Sequence, residues 1–98
     1  MADSTAVTAK DVSELEYHLG YLEQRFAELE DKAKEWATLP AEDKNDFLFD
    51  WPVVEDTLNT LQAQVREVGV PKQYDLRYRQ LNDRIDRDRA LLNRLRRS

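Results

Sequence analysis

Val12, Leu15, Leu19, Leu22, Phe26, Leu29, Ala33 and Trp36 follow one another at alternating spacings of three and four residues. On a helix of about 3.6 residues per turn this rhythm places all eight side chains on one stripe, whereas a strand would scatter them over both faces. The stripe is the heptad seam of a long helix that must lie against other helices. Two further seams follow, Phe47, Trp51, Val54, Leu58, Leu61, Val65 and Val68, and then Tyr74, Tyr78, Leu81, Ile85, Asp88, Leu92 and Leu95. Three such helices joined by short connections predict an all-α fold, an antiparallel up-down-up three-helix bundle with coiled-coil-like packing. The expected domain covers 9–98, with helices at about 9–38, 41–68 and 72–96, after a flexible N-terminal tail over 1–8.

The boundaries rest on local chemistry. Thr8 can cap the first helix, and Asp11 three residues on suits its positive N-terminus. Pro40 is suited to opening the second, since a proline in a first turn loses no hydrogen bond. Pro52 denies a donor to the carbonyl of Leu48 and disfavours helical geometry at Trp51. The seam nevertheless keeps its phase across it, so the second helix is expected to be kinked or briefly broken near Pro52 without changing direction. The run Val68, Gly69, Val70, Pro71 reads as a Schellman ending, with Gly69 in the left-handed position and the chain reversing there. Gly20, on the outer side of the first helix, costs about 1 kcal/mol relative to alanine and is expected to mark a close approach.

Composition narrows the function classes. Ninety-eight residues supply about one core, and charged residues at 36% with only two glycines and three prolines suit long helices with wet outer faces. The chain has no cysteine, which removes disulfides, thiolate metal sites and a cysteine nucleophile and suits a reducing, cytoplasmic setting. No apolar run approaches the roughly 20 residues that span a bilayer. The net charge of -5 conceals a division along the chain: residues 1–70 carry 16 acids against 6 bases, and residues 71–98 carry 4 against 9. Eight of the nine bases in the last segment are arginines. They can meet the acidic edge of the first helix, Glu16, Glu23 and Glu30, or an external acidic partner.

Recognisable active-site constellations are missing. His18 is the single histidine, has no thiolate beside it, and reads as a surface side chain rather than a zinc ligand. Asp83, Asp86 and Asp88 are interleaved with Arg84, Arg87 and Arg89 and lack a glycine-bearing loop, so they do not read as a calcium site. No phosphate-binding glycine loop is present and no serine has an adjacent base, so neither a cofactor nor a small-molecule substrate is expected. Asp88 falls on the third seam. Because a bare buried carboxylate costs several kcal/mol, it is expected to rotate outward and pair with Arg84, leaving Leu91 to complete the seam.

One run has the look of an enzyme. Leu81, Asn82, Asp83, Arg84, Ile85, Asp86, Arg87 and Asp88 resemble the Leu-Arg-x-x-Ile-Asp helix pattern of small all-helical chorismate mutases, also three-helix chains of about this size. In that family the pattern opens the chain, whereas here it closes it. The resemblance implies a mutase activity as a remote alternative.

The leading expectation is a non-catalytic protein-protein interaction module, such as an adaptor, accessory or regulatory subunit. Residues 47–54 are too apolar for a single seam, so Leu48, Phe49, Trp51 and Val53 form a candidate docking patch, with Tyr17 and Tyr21 off the first seam beside it. The alternative is nucleic-acid binding through the Arg-rich third helix, in which Arg84, Arg87 and Arg94 would contact an anionic or acidic partner. Four aspartates threaded through that helix and an acidic remainder argue against this alternative. The surplus of bulky off-seam residues also points to a homodimer.

Overall fold

The computed structural model describes residues 8–97. The chain forms α1 (Ala9–Lys34), a single 3-10 turn at Trp36–Thr38, α2 (Ala41–Val68) and α3 (Lys72–Arg97), with no strand among the described residues. The tail expected over 1–8 lies outside the described residues except for Thr8, which caps α1. Its hydroxyl accepts from the Asp11 amide at 3.1 Å, and the Asp11 carboxylate accepts from the Thr8 amide at 3.0 Å. Two of the otherwise orphaned donors at the helix start are thereby satisfied.

The three seams meet in one core. Leu15, Leu19, Leu22, Phe26, Leu29 and Trp36 from the first stretch pack with Phe47, Trp51, Val54, Leu58 and Leu61 of α2 and with Leu81, Ile85, Leu92 and Leu95 of α3. α1 packs against both other helices. Contacts fix the directions: Gln64 donates to the Asp11 carbonyl at 3.0 Å, and Trp36 meets Phe47 edge-on at 6.1 Å, so α2 runs antiparallel to α1. One end of the core is an aromatic chain, in which Phe26 sits edge-on to Trp51 at 5.2 Å and Trp51 tilts against Phe47 at 5.7 Å. Such pairs add about 0.5–1.5 kcal/mol each beyond area burial.

Three local features differ from expectation. α1 gives way to the tighter 3-10 turn after Lys34 instead of remaining α-helical to Thr38; the turn still carries Trp36 inward to the core. Of the kink or brief break expected near Pro52, the break does not occur: α2 continues through the proline. Pro52 itself is exposed, while Trp51 and Val54 on either side are buried. The proline therefore lies on the wet face, where water can solvate the Leu48 carbonyl it leaves without a donor, and the flanking core contacts hold the helical path. Gly69 ends α2 by donating to the Val65 carbonyl at 2.8 Å, but at φ 81° and ψ -176°. This is the extended positive-φ region that is open essentially to glycine alone, rather than the left-handed helical position of a Schellman ending.

Gly20 has room for a side chain. A methyl group there would meet the Arg77 guanidinium at 3.7 Å, an ordinary van der Waals contact. Gly20→Ala should therefore stabilise the fold by about 0.5–1 kcal/mol through backbone entropy alone. Urea denaturation followed by circular dichroism checks this, and a loss of stability would mean that the approach of α3 to α1 at this point is closer than it stands here.

Candidate functional site

Two polar-apolar surfaces flank α1, one on each side. On the α3 side the seam is edged by a ladder of ion pairs. Arg77 holds Glu23 through Nε at 2.8 Å and Nη2 at 2.7 Å, and Arg84 holds Glu30 through the same two nitrogens, both at 2.7 Å. The two rungs lie one heptad apart on both helices, so they lock α3 parallel to α1 in a single register. All four side chains are only about one-third exposed, and two-point Arg–carboxylate geometry adds orientation to attraction. The Glu23 bond raises the Arg77 pKa above its usual value, and the Glu30 bond does the same for Arg84. Of the acidic edge Glu16, Glu23 and Glu30, the last two take the arginines; on α3 itself Arg79 pairs with Asp75 four residues before it.

Asp88 lies inside this edge. It is 2% exposed, so the expectation that it would rotate outward is overturned: it keeps its place on the seam, and Leu91 is only partly buried. What makes this tolerable is company. Arg84 Nε lies 3.9 Å from it, Arg87 Nε lies 3.5 Å from it, and Glu30 faces it from α1. Burial pushes the Asp88 carboxyl up to about 6, reinforced by the neighbouring Glu30 charge. Hydrogen bonding from Arg84 brings Glu30 down to about 2. The two acids therefore divide their roles: below about pH 6 Asp88 is the one that takes up a proton, while Glu30 stays ionised.

On the α2 side of α1 the surface is open. Tyr17, His18 and Tyr21 of α1 and Val53 and Thr57 of α2 line a groove of about 180 Å³. Tyr17 stacks on Tyr21 with ring centres 6.5 Å apart and meets His18 edge-on at 5.7 Å. Tyr17 is 69% exposed, Val53 58% and Phe49 82%. Phe49 precedes Val53 by one helical turn and so extends the same strip. Farther along the same side of α1 and α2 lies a second concavity of about 380 Å³, where Asp43, Asp46 and Asp50 of α2 face Arg25, Glu28 and Lys32 of α1.

The residues expected in the docking patch thus separate. Tyr17, Tyr21 and Val53 come together in one groove, with Phe49 beside it. Leu48 packs partly against the core. Trp51 is 0% exposed, donates from Nε1 to Glu55 at 3.1 Å and is a core residue, because its seam position points it at Phe26 and Phe47. Among the arginines, Arg84 is engaged by Glu30. Arg87 reaches Glu30 and Asp88, both at 3.5 Å, and Arg94 is exposed with no ion pair among the described residues. Arg96 joins Arg89 and Glu55 around a concavity of about 320 Å³ between α2 and α3.

Sequence reading missed His18 and Thr57 as groove residues. His18 is half-buried, and its Nδ1 is buried without a hydrogen-bond partner. Both flank the seams on the sides where α1 and α2 approach, so their heptad positions were the available signal. Among the described residues no group of three or more His, Cys, Asp or Glu is placed to hold a metal ion, and no helix is long and apolar enough to cross a membrane. Comparison with protein-family models, with curated proteins and with solved structures returns no match. The site is therefore read from its own residues.

Proposed function

We propose that this chain is a non-catalytic helical protein-protein interaction module that docks a partner on the α1/α2 face, as an adaptor, accessory or regulatory subunit of a cytoplasmic assembly. One observation carries the reading: Tyr17 and Tyr21 of α1 and Val53 of α2 line one groove, and Tyr17, Val53 and Phe49, one turn before Val53, are large apolar side chains left exposed there. Large apolar side chains left in water on a chain that buries its seams this completely mark an interface more often than chance surface. Tyr17, Phe49 and Val53 lie off the seams and outside the core, whereas Tyr21 packs partly against it and joins the exposed residues to the fold.

The arginines favour this reading over nucleic-acid binding. Arg77 and Arg84 are satisfied by Glu23 and Glu30 in two-point pairs, and that leaves few free guanidinium groups for phosphates. The same pairing bears on the mutase resemblance, since Arg84 is turned to Glu30 and Asp88 is shut away from substrate.

The test is partner retention. Immobilised full-length chain should retain a co-purifying protein in near-equal amount, and Phe49→Asp should abolish that retention while leaving the helical circular dichroism and melting temperature within a degree or two of the parent. Retention of the same protein by the Phe49→Asp variant would retire the α1/α2 face as the docking surface.

A further inference from the structure

We propose that the α1/α2 face takes a cationic amphipathic helix of a partner protein, its apolar stripe on the Tyr17–Tyr21–Val53–Phe49 strip and its Lys or Arg side chains on Asp46 and Asp50. This rests on the docking reading above and adds the chemistry of the occupant.

The length and the charge of the face both select it. The two concavities together extend along α1 from Tyr17 to Lys32, a separation of 15 residues or about 22 Å at 1.5 Å per residue, which matches roughly four turns of a docked helix. Its aromatic end offers no formal charge. Its other end is acidic in a way the fold does not use. Arg25 is already held by Glu28 at 2.6 Å, whereas Asp43, Asp46 and Asp50 form no ion pair among the described residues. Asp43 lies in the first turn of α2, where the helix N-terminus favours it. Asp46 and Asp50 lie beyond that turn, four residues apart on one face, and the cations that face them across the concavity among the described residues are Lys32 and Arg25, the latter already held by Glu28. A partner that supplies apolar contact alone would bury these carboxylates unpaired, at a cost of kcal/mol order; a cationic one would neutralise them.

A second copy of this chain fits less well. Its cationic segment is the end of α3, around Arg94 and Arg96. The exposed large apolar residue on that helix is Leu76, 18 residues away, or about 27 Å along the axis. The charge and the apolar stripe that the groove calls for are therefore separated on α3.

The experiment selects from a displayed library of helical peptides of about 15–20 residues, with one face randomised, against the full-length chain. The expected outcome is enrichment of peptides that combine an apolar stripe with Lys or Arg toward one end. A synthetic representative should bind the parent and lose about tenfold or more in affinity to Phe49→Ser, and likewise to the double variant Asp46→Lys with Asp50→Lys. It should also weaken with added salt. Asp83→Lys, on the outer face of α3, should leave binding unchanged. Enriched peptides that are acidic or neutral yet still depend on Phe49 would overturn the cationic partner while sparing the docking face. Enrichment independent of Phe49, or no enrichment, would overturn the proposal. Sedimentation that shows a dimer of the parent abolished by Phe49→Ser would assign the face to a second copy instead.

Discussion

Trp51→Ala should lower the unfolding free energy by about 3–5 kcal/mol, a large fraction of the roughly 5–15 kcal/mol that a domain of this size has in total. The indole is fully buried between Phe26 and Phe47 and ties its Nε1 to Glu55, which in turn accepts from Arg89 of α3 at 3.3 Å. Alanine leaves a cavity at the point where α1 and α2 meet, removes two aromatic contacts, and frees Glu55 from one of its two partners. The surrounding leucines cannot close such a space without shifting α2, whose path past Pro52 depends on the same packing. Equilibrium denaturation in urea, read by far-ultraviolet circular dichroism, should show a lower midpoint with an unchanged slope. A loss below about 1 kcal/mol would mean that Trp51 is not a core residue. The same experiment separates Trp51 from Phe49, since Phe49→Asp removes binding with little effect on stability, whereas Trp51→Ala weakens the fold itself.

Asp88→Asn should act in the opposite direction, raising the melting temperature at pH 7 by about 5 °C or more, on the order of 1 kcal/mol for a chain of this length. The reason is linkage. Burial lifts the Asp88 pKa in the folded protein to about 6 from an ordinary 3.8, so the folded state takes up a proton that the unfolded chain does not. The associated stability is present in full below the ordinary value and is lost as pH rises through about 6. Glu30 works the other way. Arg84 holds its pKa at about 2 against an ordinary 4.5, so its contribution is present above the ordinary value and is lost as pH falls toward 2. The pair together is most stabilising between about pH 4 and 5. Asparagine reproduces the protonated carboxyl, with Nδ2 able to donate to Glu30 and Oδ1 to accept from Arg87, and it carries no charge at neutral pH. The parent should therefore gain stability on acidification from pH 7 to 4.5, and Asp88→Asn should not. Equal pH slopes in the two proteins would remove Asp88 as the titrating group.

These two residues also show where reading the chain succeeds and fails. Periodicity placed both on their seams, and both seams are buried. What periodicity lacks is the identity of the neighbours. Asp88 on a seam looked too costly without Glu30, which lies 58 residues away and faces it only after α3 docks on α1; its neighbour Arg87 is local to α3. Leu48, Phe49 and Val53 were all recognised as surplus to the α2 seam. Which of them stays in water depends on which side of α2 another helix covers, and that is a property of the packed bundle.

The helical class, the three seams, the cap at Thr8, the reversal at Gly69 and the acidic edge that receives the arginines are all written in local spacing, because a helix converts sequence interval directly into angular position. Only the tertiary structure decided that Trp51 is withdrawn from the surface patch in which it was also counted, that Asp88 is buried beside Glu30, and that Tyr17, Tyr21 and Val53 share one groove. Each of these depends on the rotation and register of one helix against another. That choice is made by the sum of many weak side-chain contacts across the whole interface, and no single segment contains it.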